Sequence, residues 1–267
     1  MNPINRKKTA IAIGAHPDDI EFQMAGTLIL LKRAGYEIHT MNLASGSCGS
    51  SKHTAVAIRR IRLQESRQAA QILGAHFHKP LCDDLEIVYD VKTLRRLAAI
   101  IREVRPSVVL THPPVDYMED HTATCRLVVS AVFARGMPNF RTLPARRPGQ
   151  YDITLYHCMP HTLRDPLRQR VLSGAFVNTS AVQSIKREAL GAHQSQRDWL
   201  GASQKFDSYL QTMEDMAREL GRLSKKFRYA EGWRRHLHAG FGTPDDDPLK
   251  VLGKDYLINT AYERRLR

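Results

Sequence analysis

The sequence predicts an α/β fold, a doubly wound and mostly parallel sheet with helices on both faces. Three observations lead there. Apolar, β-branched runs alternate with amphipathic helical patterns through most of the 267 residues. The runs at 9–14 and 107–111 are dominated by apolar side chains, as strands covered on both faces require. Each is followed by a cluster of histidine and aspartate, and the carboxyl ends of parallel strands are where such sheets gather their chemistry.

The first strand runs into His16-Pro17-Asp18-Asp19. Pro17 fixes the backbone between strand and helix, and His16 and Asp19, three apart, share one side of a helical turn while Asp18 points elsewhere. Phe22, Ala25, Leu28, Ile29 and Leu31 then predict a helix over about 20–34, closed by Gly35. A second strand over 36–43 leads into Ala44-Ser45-Gly46-Ser47-Cys48-Gly49-Ser50-Ser51-Lys52, a connection expected to hang over the same rim. Its glycines lack the spacing of a standard phosphate loop. An amphipathic helix over 54–73 ends at Gly74, and a third strand falls near 75–82, weakened by Pro80.

A helix over 91–104 and the strand at 107–111 follow. Strands one and four are neighbours in a doubly wound sheet, about 5 Å apart, so Asp116, Asp120 and His121 should face the first cluster. Beyond lie a helix over 122–135, a Pro- and Arg-rich segment at 137–149, and a strand at 153–158 with His157 and His161 near its end. A strand at 171–177 comes next, then a helix from Ser180 through Lys186, Leu190 and His193. From about 197 the pattern is helical to 225 and then irregular. One domain is expected, a core over 1–200 with a helical and irregular extension over 201–267 packed on it.

His16, Asp19 and His121 supply two imidazoles and one carboxylate, a set that holds a catalytic zinc ion and leaves a position open to water. Asp18, beside these ligands but directed away from them, is the candidate general base. Aspartates at a helix start also serve as caps, and Asp120 can orient a ligand or cap the next helix.

Ala15-His16-Pro17-Asp18-Asp19, then Arg62-Leu63-Gln64-Glu65 in a helix ending Ala69-Ala70-Gln71-Ile72-Leu73-Gly74, then Asp116-Tyr117 through Asp120-His121, then Lys186 with Ala192-His193-Gln194-Ser195-Gln196, together resemble the PIG-L/LmbE family of zinc-dependent N-deacetylases. The resemblance spans roughly 9–200. It implies a Rossmann-like fold and removal of an acetyl group from an N-acetylated substrate, an N-acetylglucosamine-type amino sugar or its conjugate, with related members acting on thiol conjugates and glycopeptides. By position it implies His16, Asp19 and His121 as zinc ligands and Asp18 as base. Arg62 matches a helix arginine that reaches the site in some members; a surface pair with Glu65 is its alternative. Many members carry histidine where this chain has Met118, and methionine neither donates a proton nor holds an oxyanion. His157, His193 and His112 are the replacements to examine, each with a structural role as its alternative.

Forty Lys and Arg against 27 Asp and Glu give a net charge of +13, which favours an anionic small-molecule substrate or, in a competing reading, a nucleic-acid or lipid-binding module with a non-catalytic metal. Lys225, Lys226, Arg228, Arg234 and Arg235 are its densest cluster, but no aromatic series or nucleic-acid motif accompanies them, so no specific nucleic-acid partner is expected. Cys48, Cys82, Cys125 and Cys158 form no CxxC pair, which fits reduced thiols and a cytoplasmic location. No apolar run is long enough to span a bilayer. A homo-oligomer is left open.

Overall fold

Ala10 and Ala12 pack to one side of the first strand and Ile11 and Ile13 to the other, all fully buried. This strand, β1 (Thr9–Gly14), lies inside an eight-stranded sheet in the computed structural model, which describes residues 8–204 and 209–266. Around it are β2 (Glu37–Asn42), β3 (His76–His78), β4 (Val108–Thr111), β5 (Thr154–Cys158), β6 (Ala175–Asn178), β7 (Ala230–Arg235) and β8 (Tyr256–Ile258). The order is β3-β2-β1-β4-β5-β7-β6-β8, the first five parallel and the last three joined antiparallel. Pairing of Ile13 with Thr111 sets the ends of β1 and β4 side by side, as the doubly wound order requires.

On one face lie α1 (Asp19–Gln23), α2 (Ala25–Arg33) and the end of α3 (Ala55–Leu73); on the other lie α4 (Val91–Val104) and α5 (Glu119–Phe133). The first face is completed by α6 (Gln183–Gly191), followed by α7 (Gln194–Gln204), α8 (Tyr209–Ser224) and the short α9 (Thr260–Arg265). No helix among the described residues is long and apolar enough to cross a membrane. Within the helical expectation over 197–225, residues 205–208 lie outside those described.

Two expectations change. The helix predicted over 20–34 breaks at Met24 (φ −130°) into α1 and α2, because the N–H groups of Gly26 and Thr27 turn to the carboxylate of Glu231, each at 2.8 Å. A glutamate more than two hundred residues away thus satisfies the orphan donors that start α2. The stretch after 200, expected as a helical and irregular extension, contributes two strands to the sheet, with β7 inserted between β5 and β6. Its sequence, Ala-Glu-Gly-Trp-Arg-Arg, reads as polar, but the burial cost of Glu231 is offset by Lys186, whose Nζ is 2.5 Å from Oε1.

Candidate active site

Asp19 opens α1, and its Oδ2 accepts the backbone N–H groups of Ala15 (3.0 Å) and His16 (2.7 Å). Both donors precede the helix, so Asp19 ties the strand end to α1 and no side-chain cap forms at this helix start; the same oxygen stands 3.0 Å from His112 Nε2. Oδ1 faces His121 Nε2 at 3.4 Å, while His16 Nδ1 lies 3.7 Å from Oδ2. Ligand atoms of His16, Asp19 and His121 all fall within 4.8 Å of one another.

The remaining ring nitrogens are each tied to a carboxylate. His16 Nε2 donates to Asp120 at 2.8 Å, and His121 Nδ1 donates to Asp116 at 3.0 Å. Each bond fixes a tautomer and leaves the inward nitrogen's lone pair for a cation, the arrangement that accompanies metal-bound histidine. Asp120 also accepts the N–H of Leu85 at 2.8 Å, so it orients a ligand and anchors the loop after β3. The donor chemistry, two imidazoles and a carboxylate with one side open, fits a catalytic zinc ion. Burial works against a charged His121, but Asp19 and Asp116 overcome it and lift the imidazole to about 10, so a cation competes with a proton there. Asp120→Ala is expected to weaken zinc binding about 10–100-fold, read by competition against a chromophoric chelator.

Asp18 precedes α1 with φ 112°, a conformation that strains any residue but glycine. Its surroundings hold it there. Tyr209 of α8 donates its hydroxyl to Oδ2, and Arg62 of α3 brings Nη2 to 3.9 Å from Oδ1 while donating to the carbonyl of Pro17 at 2.6 Å. Burial pushes the Asp18 carboxyl up to about 6 against the pull of Arg62.

These groups open onto a cavity of about 640 Å³, with His16, Asp18, Asp19, Arg62 and His121 on its floor. The loop after β2 forms one wall through Cys48 and Gly49, held by Asp84 accepting the N–H groups of Gly46 and Cys48 at 2.7 and 2.9 Å. Gly46 (φ +78°) lies so close to Arg62 that a Cβ would collide with it. The glycines of this loop thus make room for a guanidinium. Arg62 does not pair with Glu65, which instead accepts the N–H and hydroxyl of Ser195.

His157 and His193 do not line the cavity. His157, near the end of β5, faces Cys125 of α5 at 3.6 Å, with Nδ1 2.8 Å from the His112 carbonyl and Nε2 2.9 Å from His236. Burial drives it down to about 4. His193 is fully buried with Nε2 3.3 Å from Glu21, and His112 stacks on His121 with centroids 4.0 Å apart. The histidine on the cavity wall is His161, three residues beyond β5, where Thr162 (φ 66°) and Leu163 (φ 57°) bend the chain. Its only sequence signal is Pro160, which ends the strand before it. Tyr117, Met118 and Trp199 line the cavity too. None of the cations of the 225–235 cluster does.

Residues 11–132 match the family described as PIG-L: GlcNAc-PI de-N-acetylase. Diacetylchitobiose deacetylase of Thermococcus kodakarensis is 29% identical over 87% of this chain and 84% of its own. An uncharacterized deacetylase, YaiS of Escherichia coli, is 30% identical over 54% of this chain and 74% of its own, and 4-oxalmesaconate hydratase of Pseudomonas putida is 32% identical over 47% and 52%. The solved structure of N,N'-diacetylchitobiose deacetylase from Pyrococcus horikoshii superposes with a TM-score of 0.72 at 23% identity, covering 93% of this chain and 91% of its own.

Proposed function

The chain belongs to the PIG-L family of de-N-acetylases, and from that premise we propose that it hydrolyses the acetamide of an N-acetylglucosamine-type amino sugar or its conjugate, releasing acetate and a free amine. One observation carries the reading: a two-histidine, one-carboxylate donor set and a separate buried carboxylate, Asp18, open onto one cavity. His16, Asp19 and His121 would hold zinc. Bound there, it supplies Lewis-acid polarisation of the carbonyl and lowers the pKa of water. Asp18, ionised above about pH 6, takes the proton of the attacking water. Arg62, its guanidinium on the cavity floor, offsets charge developing on the carbonyl oxygen.

The departing amine needs a proton. Met118 cannot give one, and His161, on the cavity wall, is the candidate donor. His161→Ala is expected to lower kcat about 10²-fold with little change in KM, and a kcat within a few-fold of wild type would return the proton-donor role to Asp18. The general test is acetate release from a panel of N-acetylated amino sugars by the zinc-loaded enzyme. A hydration reading rests on the likeness to the hydratase, so an unsaturated polycarboxylate belongs in the panel; loss of its conjugated absorbance with no acetate release from any sugar would replace the deacetylase reading.

A further inference from the structure

At the free edge of the sheet, His39 of β2 pairs in register with His76 of β3. Paired residues of parallel strands point to one face, and Glu37, two before His39, joins them there. Glu37 Oε1 lies 3.5 Å from His39 Nε2 and 3.1 Å from His76 Nε2, and ligand atoms of the three fall within 4.8 Å of one another. Two donors bound to one tetrahedral zinc at about 2.0–2.1 Å stand about 3.3–3.4 Å apart, and the observed pair of distances brackets that value.

The support behind these side chains has the same logic as at the active site. His39 Nδ1 lies 2.9 Å from His78 Nε2, a bond that steers His39 Nε2 towards Glu37. The rings of His39 and His76 stack at 4.8 Å and those of His39 and His78 at 5.2 Å, so the donors sit on paired strands rather than on a loop. Exposure rises outward, from 11% of the His39 side chain to 64% of His76, leaving room for water in the remaining coordination positions.

We propose that Glu37, His39 and His76 form a second, peripheral site for a first-row divalent cation such as zinc, separate from His16, Asp19 and His121. Two imidazoles and one carboxylate select zinc, nickel or copper over magnesium and calcium, which prefer all-oxygen sites. Its structural effect is to clamp the three-residue edge strand β3 to β2. It does not rest on the deacetylase reading, because metal is counted whether or not acetate is released.

The test is zinc stoichiometry on tag-free full-length protein, stripped with chelator, reloaded, passed through a desalting column and measured by mass spectrometry. Two zinc ions per chain are expected for wild type. Glu37→Gln/His76→Gln, at one half-buried and one exposed position outside the cavity, should retain one, with acetate release and far-ultraviolet circular dichroism unchanged. Asp19→Asn should also retain one, held by the peripheral set. Cobalt substitution checks the ligands: the Glu37→Gln/His76→Gln protein should lose one of two sets of visible bands. A single zinc ion in wild type that Asp19→Asn loses, or a second ion that survives in the Glu37→Gln/His76→Gln protein, overturns the proposal and leaves Glu37 as a polar partner of the two histidines.

Discussion

Asp18→Asn should slow acetate release at saturating substrate by about 10²–10⁴-fold, the usual contribution of a positioned general base, without changing metal content. Asparagine keeps the shape and the hydrogen bond from Tyr209, so a loss of rate at full zinc loading isolates the proton-accepting role. The pH profile gives an independent check. Only the ionised carboxylate accepts a proton, so wild-type kcat/KM should be flat at high pH and fall about tenfold per unit below the Asp18 pKa. That pKa is about 6 from the surrounding protein groups, and a cation at the neighbouring ligands draws it lower, which makes 6 an upper bound for the limb. The hydrogen bond from Tyr209 and the charge of Arg62 both favour the carboxylate form. Tyr209→Phe should therefore move the limb to higher pH, and Arg62→Met should move it further. A limb that stays put in both variants and persists in Asp18→Asn would assign the base to another group.

Lys186→Met should destabilise the fold by about 3–5 kcal/mol, measured by urea unfolding. Lys186 and Glu231 are 1% and 2% exposed, and the carboxylate also accepts from Gly26, from the Thr27 backbone and from the Thr27 hydroxyl. Removing the ammonium strands a buried anion that still starts α2 and still ties it to β7. Exchanging both partners, as in Lys186→Met/Glu231→Gln, should recover part of the loss, because the charge goes with its counter-ion. The resemblance to the deacetylase family runs through Lys186, yet its side chain faces Glu231 and does not line the cavity. Activity per folded molecule should accordingly stay near wild type below the unfolding transition.

How much of this was legible in the sequence follows from range. His16, Asp18 and Asp19 belong to one turn, and His121 follows a strand whose apolar pattern identifies it as β1's neighbour, so the donor set could be read from strand order alone. For Asp120 strand order gives the location and not the role, which follows from the His16 ring and the Leu85 N–H sharing its Oδ2. Tyr209 and Glu231 gave no local signal. Tyr209 reaches Asp18 across 191 positions, and an isolated tyrosine in an amphipathic helix reads as packing. The β7 strand was missed because its glutamate and arginines contradict the pattern of a buried strand, and only the distant Lys186 removes the contradiction. His157 misled for a different reason: a residue inside a strand faces the helix that covers the sheet, here Cys125 of α5, whereas the bend beyond Pro160 turns His161 to the cavity.

The insertion of β7 between β5 and β6 also sets a timetable for the chain as it leaves the ribosome. Strands 3-2-1-4-5 and all three candidate zinc donors are complete by residue 158, whereas β6 finds no hydrogen-bonded neighbour until β7 emerges. At about 5–20 residues per second, synthesis of the span from 178 to 235 takes about 3–11 s. During that interval the nascent chain carries a metal-competent half-sheet whose last parallel strand, β5, is a bare edge. Tyr209, the tether of Asp18, is also made in that interval, so the candidate ligands exist before the proposed base is fixed in place.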